Sequence, residues 1–264
     1  MPNHVTNRLQ VSGDRAEILR MLEEIKQEEA GIGSVDFDKV IPRPRSLEIP
    51  WGFSTSRCME LYLTPINPAA IWYPGDKAEP GEFGRIMACL RNKNYGLKEC
   101  LSPEKTEETE KQVIQQGKFS CRKEMESMGR KAVTNVLLHG AVTWFDWSLE
   151  HWGSKQNSYG YEGIDQVAAK EGKLVFYTAG ACADKIVQKL SEQYPALFFS
   201  YQWADEDFGS YVGEKEYEAG AEVFCNIPTR GSNEAFAMAA DILGLSPEEC
   251  GYRMDEKEGI YVYQ

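Results

Sequence analysis

The sequence predicts an α+β fold: helices packed on one antiparallel sheet, with a helix-rich insertion or N-terminal lobe attached. Three observations predict it. Residues 172–263 alternate between apolar runs of strand length and amphipathic runs of helix length. Residues 1–42 open with the same alternation. Between them the chain turns irregular, with seven prolines from Pro42 to Pro80, and then becomes helical in pattern.

The first element is a strand. In HVTNRLQVSG, Val5, Leu9 and Val11 fall on one side of an extended chain. Asp14 stands three residues before Glu17, a capping-box start, and Ile18, Leu22 and Ile25 follow at helical spacing, with Leu19 and Met21 widening the face. That helix is expected to run through Glu28 and Glu29 and to stop near Gly31 and Gly33. VDFDKVIP, residues 35–42, reads as a second strand ended by Pro42 and Pro44. Residues 1–45 are thus expected as a β-α-β opening that packs on the sheet.

Residues 46–143 are expected as the Pro-rich and helical insertion lobe. Short helices are predicted at 83–92 and at 102–117, where Ser102 is an N-cap and Pro103 occupies the first turn. The strongest helix spans about 122–142, with Met125, Met128, Ala132, Val133, Val136 and Leu137 in its apolar stripe. Gly129 and Gly140 project onto that stripe, which predicts a backbone packing close against it. His139 projects there too and reads as a core histidine with a hydrogen-bonded ring.

Residues 144–264 are expected as the sheet domain. KLVFYTA (173–179) reads as a buried strand and Asp184–Tyr194 as a helix burying Ile186, Val187 and Leu190. In ALFFSYQW, Leu197, Phe199, Tyr201 and Trp203 share a face. Residues 209–225 read as an extended segment doubled back near Ala219–Gly220. A helix over 232–244, with Ser232 as N-cap and Gly244 just past its end, precedes a closing strand, GIYVY at 259–263. The order β-α-β-β-α-β is that of a ferredoxin-like domain.

Composition narrows the function. The 264 residues carry 41 acidic and 29 basic side chains, a net charge of −12. Nucleic acid and anionic membranes are disfavoured as partners; the acidity reads first as a solubility device, with docking on something basic as the alternative. The seven cysteines, Cys58, Cys89, Cys100, Cys121, Cys182, Cys225 and Cys250, include no CxxC pair, so neither a disulfide framework nor a zinc ribbon is indicated. Cys89, Cys100, Cys121 and His139 are spaced too widely for a structural zinc site, and no metal or cofactor is predicted. No apolar run approaches the roughly 18–20 residues of a membrane span, and a cytoplasmic protein is expected.

The segment WFDWSLEHWG, 144–153, carries three tryptophans and a histidine. If it continues the preceding helix, Trp144, Trp147 and His151 stack on one side with Ser148 and Trp152 beside them, while Asp146 and Glu150 lie elsewhere. That is a buried aromatic seam. The functional alternative is a polar loop against an aromatic wall, GSKQNSYGYEG, closed by the acidic turn ADEDFG. Its candidate ligand or partner contacts are Trp147, His151, Trp152, Lys155, Asn157, Tyr159, Asp205 and Asp207. No nucleophile elbow, phosphate loop or dinucleotide fingerprint is present, so no catalytic residue is named. ADEDFG lacks the ligand spacing of an EF-hand and reads as an acid-capped turn.

The blocks MPNHVTNRLQVSG, VDFDKVIPRP, WSLEHWGSKQNSY and YPALFFSYQWADEDFGSYVG together resemble the YubB-type family carried by plasmids, phages and related mobile elements. The resemblance implies a ferredoxin-like C-terminal half and a setting in a mobile element. It supplies no catalytic residues, because the family is uncharacterised. Gln156 stands where the family typically has a tryptophan, and TAGACA replaces its tryptophan and prolines, so a pocket built from those side chains is not expected. The favoured reading is a non-enzymatic accessory factor, acidic on its surface, that binds a host or mobile-element protein, with counter-defence as one such role. The alternative is a small-ligand site or an enzyme at 144–161 against the sheet.

Overall fold

The computed structural model describes residues 3–63, 111–112, 114–115, 119–255 and 259–263. In chain order the elements are β1 (His4–Ser12), α1 (Arg15–Ile25), α2 (Phe37–Val40), a 3-10 turn (Arg45–Leu47), α3 (Phe53–Leu63), α4 (Arg122–His139), α5 (Trp144–His151) and α6 (Gln166–Lys170). There follow β2 (Lys173–Ala179), α7 (Asp184–Gln193), β3 (Phe198–Asp205), β4 (Val212–Glu218), β5 (Ala221–Asn226), α8 (Asn233–Leu243), β6 (Tyr252–Asp255) and β7 (Ile260–Tyr263). The chain divides into two compact units: Met1–Pro42 with Ser148–Gln264, and Arg43–Trp147.

The first unit is built on a five-stranded sheet of order β2-β1-β3-β4-β5, antiparallel at every pairing. β2 and β3 flank β1 and therefore run parallel to each other, joined through α7 as a split β-α-β unit. β1 alternates strictly: Val5, Asn7, Leu9 and Val11 are buried, while Thr6, Arg8 and Gln10 take the other face. Across the buried face Leu9 sits between Leu174 and Tyr201. Phe176, Phe199, Trp203 and Tyr217 extend this core, and α7 closes it with Ile186, Val187 and Leu190.

Asn7 is the polar centre of that core. Its Nδ2 donates to Val5 O and to Thr178 Oγ1, each at 2.9 Å, and its Oδ1 accepts from Ala183 N and from the Tyr201 hydroxyl. Ala183 N also donates to the Tyr201 oxygen at 2.7 Å. A buried amide is tolerated because its donors and acceptors are matched.

Four expectations are corrected. Residues 35–42 do not form a strand: the Asp36 carboxylate caps Asp38 N, and the short helix α2 buries Phe37 and Val40, three residues apart. α1 ends at Ile25, because Lys26 is extended and Gln27 turns back to pair with Gly31. β2 is not buried on both faces but alternates, leaving Lys173, Val175 and Tyr177 exposed. The closing strand stays out of the main sheet: β7 pairs with β6 in a separate two-stranded ribbon. The inner place in the sheet belongs to β1, nine residues long and paired along both edges, against four residues in β7.

The expected reversal near Ala219–Gly220 is a two-residue hairpin, with φ of 48° and 82° at those positions. α8 is capped by Ser232, which accepts from Ala235 N, and ends at Gly244 in the left-handed region. It packs Ala235, Phe236, Ala239 and Ile242 onto Ala204, Phe208 and Val212, and the β6–β7 ribbon lies on it through Tyr252 and Tyr261.

In the second unit α3 and α4 pack closely. A Cβ on Gly129 would fall 2.0 Å from Cys58 O, so the glycine on the α4 stripe marks a neighbouring backbone. Gly140 instead ends α4, at φ 67°, and α5 begins afresh at Trp144 rather than continuing the helix. His139 is half-buried, with Nε2 3.1 Å from Ser46 Oγ. The helix expected at 83–92 lies outside the described residues. So does most of that at 102–117, within which 111–112 and 114–115 are helical.

Candidate functional site

The face of the sheet opposite α7 is only partly covered. α8 shields its β3–β4 end and reaches Arg8 of β1 through Asp241, and among the described residues Thr6 and Gln10 of β1, Lys173, Val175 and Tyr177 of β2, and Ser200 and Gln202 of β3 lie beyond it. The segment 159–169 borders this face along β2. Tyr159 and Tyr177 exchange both backbone hydrogen bonds, at 3.0 and 2.8 Å. Gly160 then crosses the Tyr177 ring: with φ 85° and a would-be Cβ 2.1 Å from Tyr177 Cδ2, the position admits only glycine. Asp165 caps α6 by accepting from Val167 N and Ala168 N.

Two adjoining hollows result. One, of about 560 Å³, is lined by Arg8, Gln10, Glu162, Asp165, Tyr177 and Gln202 among others. The other, about 490 Å³ and wide open, gathers His4, Thr6, Tyr159, Tyr177 and Glu206. Gly160, Glu162 and Tyr177 line both. The Tyr159 hydroxyl lies 2.6 Å from His4 Nδ1 and 3.2 Å from Thr178 O. Burial raises the Tyr159 pKa, and Glu206 and Tyr177 add to the rise, so the phenol stays protonated.

The trough is polar and carries both signs of charge, with Lys173 and Arg8 among its lining and several acids at its rim. Arg8 is ion-paired with Asp241 at 2.7 Å. Glu162 and Asp165 stand on the β2 side, Glu206 at the end, and Glu214 on β4, whose carboxylate accepts from Gln202 Nε2 at 3.2 Å. Such a surface can hydrogen-bond an extended polar segment and attract cations. Among the described residues no three His, Cys, Asp or Glu side chains cluster as a metal site would require. Among them also no helix is long and apolar enough to cross a membrane.

The candidate residues do not converge. Tyr159 lines the second hollow. Trp152 is buried, its Nε1 donating to Ile41 O at 2.9 Å and its ring edge-on to Phe37 at 5.8 Å. Asn157 ties the loop to α2, accepting from Phe37 N at 2.9 Å and donating to Asp36 at 2.8 Å. Asp205 accepts from Asp207 N and Asn3 Nδ2, which makes ADEDFG the acid-capped turn, and Asp207 pairs with Arg230 at 3.2 Å. Trp147 is buried within the second unit, and His151 and Lys155 are half-exposed and line neither hollow. Sequence reasoning missed His4, Arg8, Gln10, Tyr177, Gln202, Glu162 and Glu206. The even, polar positions of β1 were a usable signal, since a strand with one buried face presents the other.

This sheet and its helices define a ferredoxin-like α+β domain. Residues 152–261 match the family described as the ferredoxin-like domain in Api92-like protein. Among solved structures, the crystal structure of a protein api92 from Yersinia pseudotuberculosis is similar at 12% identity and a TM-score of 0.36, over 88% of this chain and 100% of that one. No curated protein matches the chain.

Proposed function

We propose that the protein is a non-enzymatic binding factor that receives a basic protein partner on the acidic side of its sheet. The observation that carries this reading is the uncovered polar face bordered by Glu162 and Asp165 on one side and Glu214 on the other. The net charge of −12 acts in the same sense, steering basic partners toward it. The resemblance to YubB-type proteins suggests a mobile element as the setting, with counter-defence as one such role. The free cysteines among the described residues, Cys58, Cys121, Cys182, Cys225 and Cys250, suit a reducing cytoplasm.

Affinity capture at low and high salt, with wild type beside Glu162→Gln/Glu214→Gln, tests it. A partner that leaves at high salt and is weakened by the double variant is the expected result. Retention regardless of salt and variant would sink the reading. A second reading rests on a specific geometry: the His4, Tyr159 and Tyr177 rings meet around one hollow, with centroids 5.5 to 6.4 Å apart. A small polar ligand there would raise the Tm of wild type but not of Tyr159→Phe.

A further inference from the structure

Among the described residues β5 is the outermost strand on its side of the sheet, and its pairing partner is β4 alone. It is also unusually bare. From Ala221 to Cys225 every residue is exposed, with Val223 at 51% and Phe224 at 44%, and Ile227 just beyond it at 56%. An exposed edge presents a row of outward N–H and C=O groups, to which an extended chain can add.

The face of β4 beside this edge has one sign of charge. Glu214, Glu216 and Glu218 alternate along it, with Glu214 opposite Asn226 and Glu216 opposite Phe224. Among the described residues no cation lies within ion-pair distance of any of the three. On the opposite face the charges are already matched: Lys215 Nζ bonds Glu222 at 2.8 Å and Asp184 at 3.0 Å.

We propose that β5 is the docking strand for the partner, which adds to the sheet as an extended segment bearing Lys or Arg at alternate positions. The inference rests on the protein-binding reading above and extends the partner's contact from Glu214 to the adjoining sheet edge. Strand spacing puts an added strand roughly 10 Å from β4. A lysine or arginine opposite Phe224 lays its apolar stem across the ring and carries its charge toward Glu216. A second copy of this chain fits less well. Two-fold pairing through β5 would bring no opposite charge to Glu214, Glu216 and Glu218, whereas a basic segment does.

The test uses the full chain and a labelled, capped peptide of alternating Lys and Thr, read by fluorescence anisotropy and hydrogen exchange. Two peptides accompany it: one with Glu for Lys, and one of unchanged charge N-methylated at alternate residues, which cannot pair as a strand. The Lys peptide is expected to bind and to protect 221–226 from exchange. The N-methylated twin, and the Lys peptide on Glu214→Gln/Glu216→Gln/Glu218→Gln, are each expected to bind about tenfold more weakly. Equal binding of the N-methylated peptide, or protection confined to the 159–177 face, would overturn strand addition. A dimer in sedimentation that Phe224→Lys dissolves would overturn the choice of partner in favour of a second copy. If Phe224→Lys still captures the salt-sensitive partner of the wild type, the β5 site fails while the protein-binding reading stands. If neither peptide nor partner binds, both fail.

Discussion

Asn7 and Tyr201 show how one polar pair can settle a core. Both are fully buried, from different strands, and together they satisfy the backbone N–H of Ala183 just before α7, while Thr178 Oγ1 accepts from Asn7 Nδ2. Removing one hydroxyl leaves the remaining groups desolvated and underbonded. Tyr201→Phe is therefore expected to lower stability by about 1–3 kcal/mol in urea unfolding, although it removes no apolar surface. A change below a few tenths of that range would mean that Asn7 finds another donor. The residue type was plain in the sequence, but the pairing was not: Tyr201 sat on the predicted apolar face, and Asn7 is one polar letter in a strand.

At the scale of elements, local chemistry decided most outcomes. Capping side chains set the starts of α1, α2, α6 and α8, through Asp14, Asp36, Asp165 and Ser232. Phe37 and Val40, three residues apart, would face opposite sides of a strand but share one side of a helical turn, and the Asp36 cap starts that turn. The β4–β5 hairpin holds Ala219 at φ 48°, a conformation in which an L side chain is strained. Ala219→Asn, which gives the Asn-Gly pair that this turn prefers, is expected to stabilise by about 1 kcal/mol. Thermal unfolding checks it; an unchanged Tm would show that the turn is not under strain.

The whole molecule depends on a strand far from the rest of its sheet in sequence. β1 pairs along both edges, yet the matched family segment begins at residue 152 and omits it. A fragment of 148–264 alone would bare the inner edges of β2 and β3. It is expected to be aggregated or loosely folded by circular dichroism and exchange, whereas 1–42 joined to 148–264 by a short linker is expected to fold cooperatively. Alkali should act on both units. Burial raises the Tyr161 phenol from 10.0 to about 12 and the Cys58 thiol from 9.0 to about 12. Each is an acid that the fold holds neutral, so its stabilisation is complete below the unfolded pKa and is lost as pH rises toward the folded one. Between about pH 9 and 12 stability should fall, by up to about 1.4 kcal/mol per pH unit for each group. Tyr161→Phe should flatten the upper part of that decline, and an unaltered slope would assign it to other groups.

The sequence by itself determined the class of fold, most elements from β2 to α8 and the net negative charge. Period, caps and charge are local properties, readable residue by residue. It also placed Gly129 against a neighbouring backbone, since a glycine on an apolar stripe has few other causes. Only the tertiary structure decided that β1 is central, that β7 stands apart, and that the even positions of β1 line open hollows beside Tyr159 and Tyr177. Strand order and the open face depend on which edges meet across more than a hundred residues, and no short window of sequence contains that pairing.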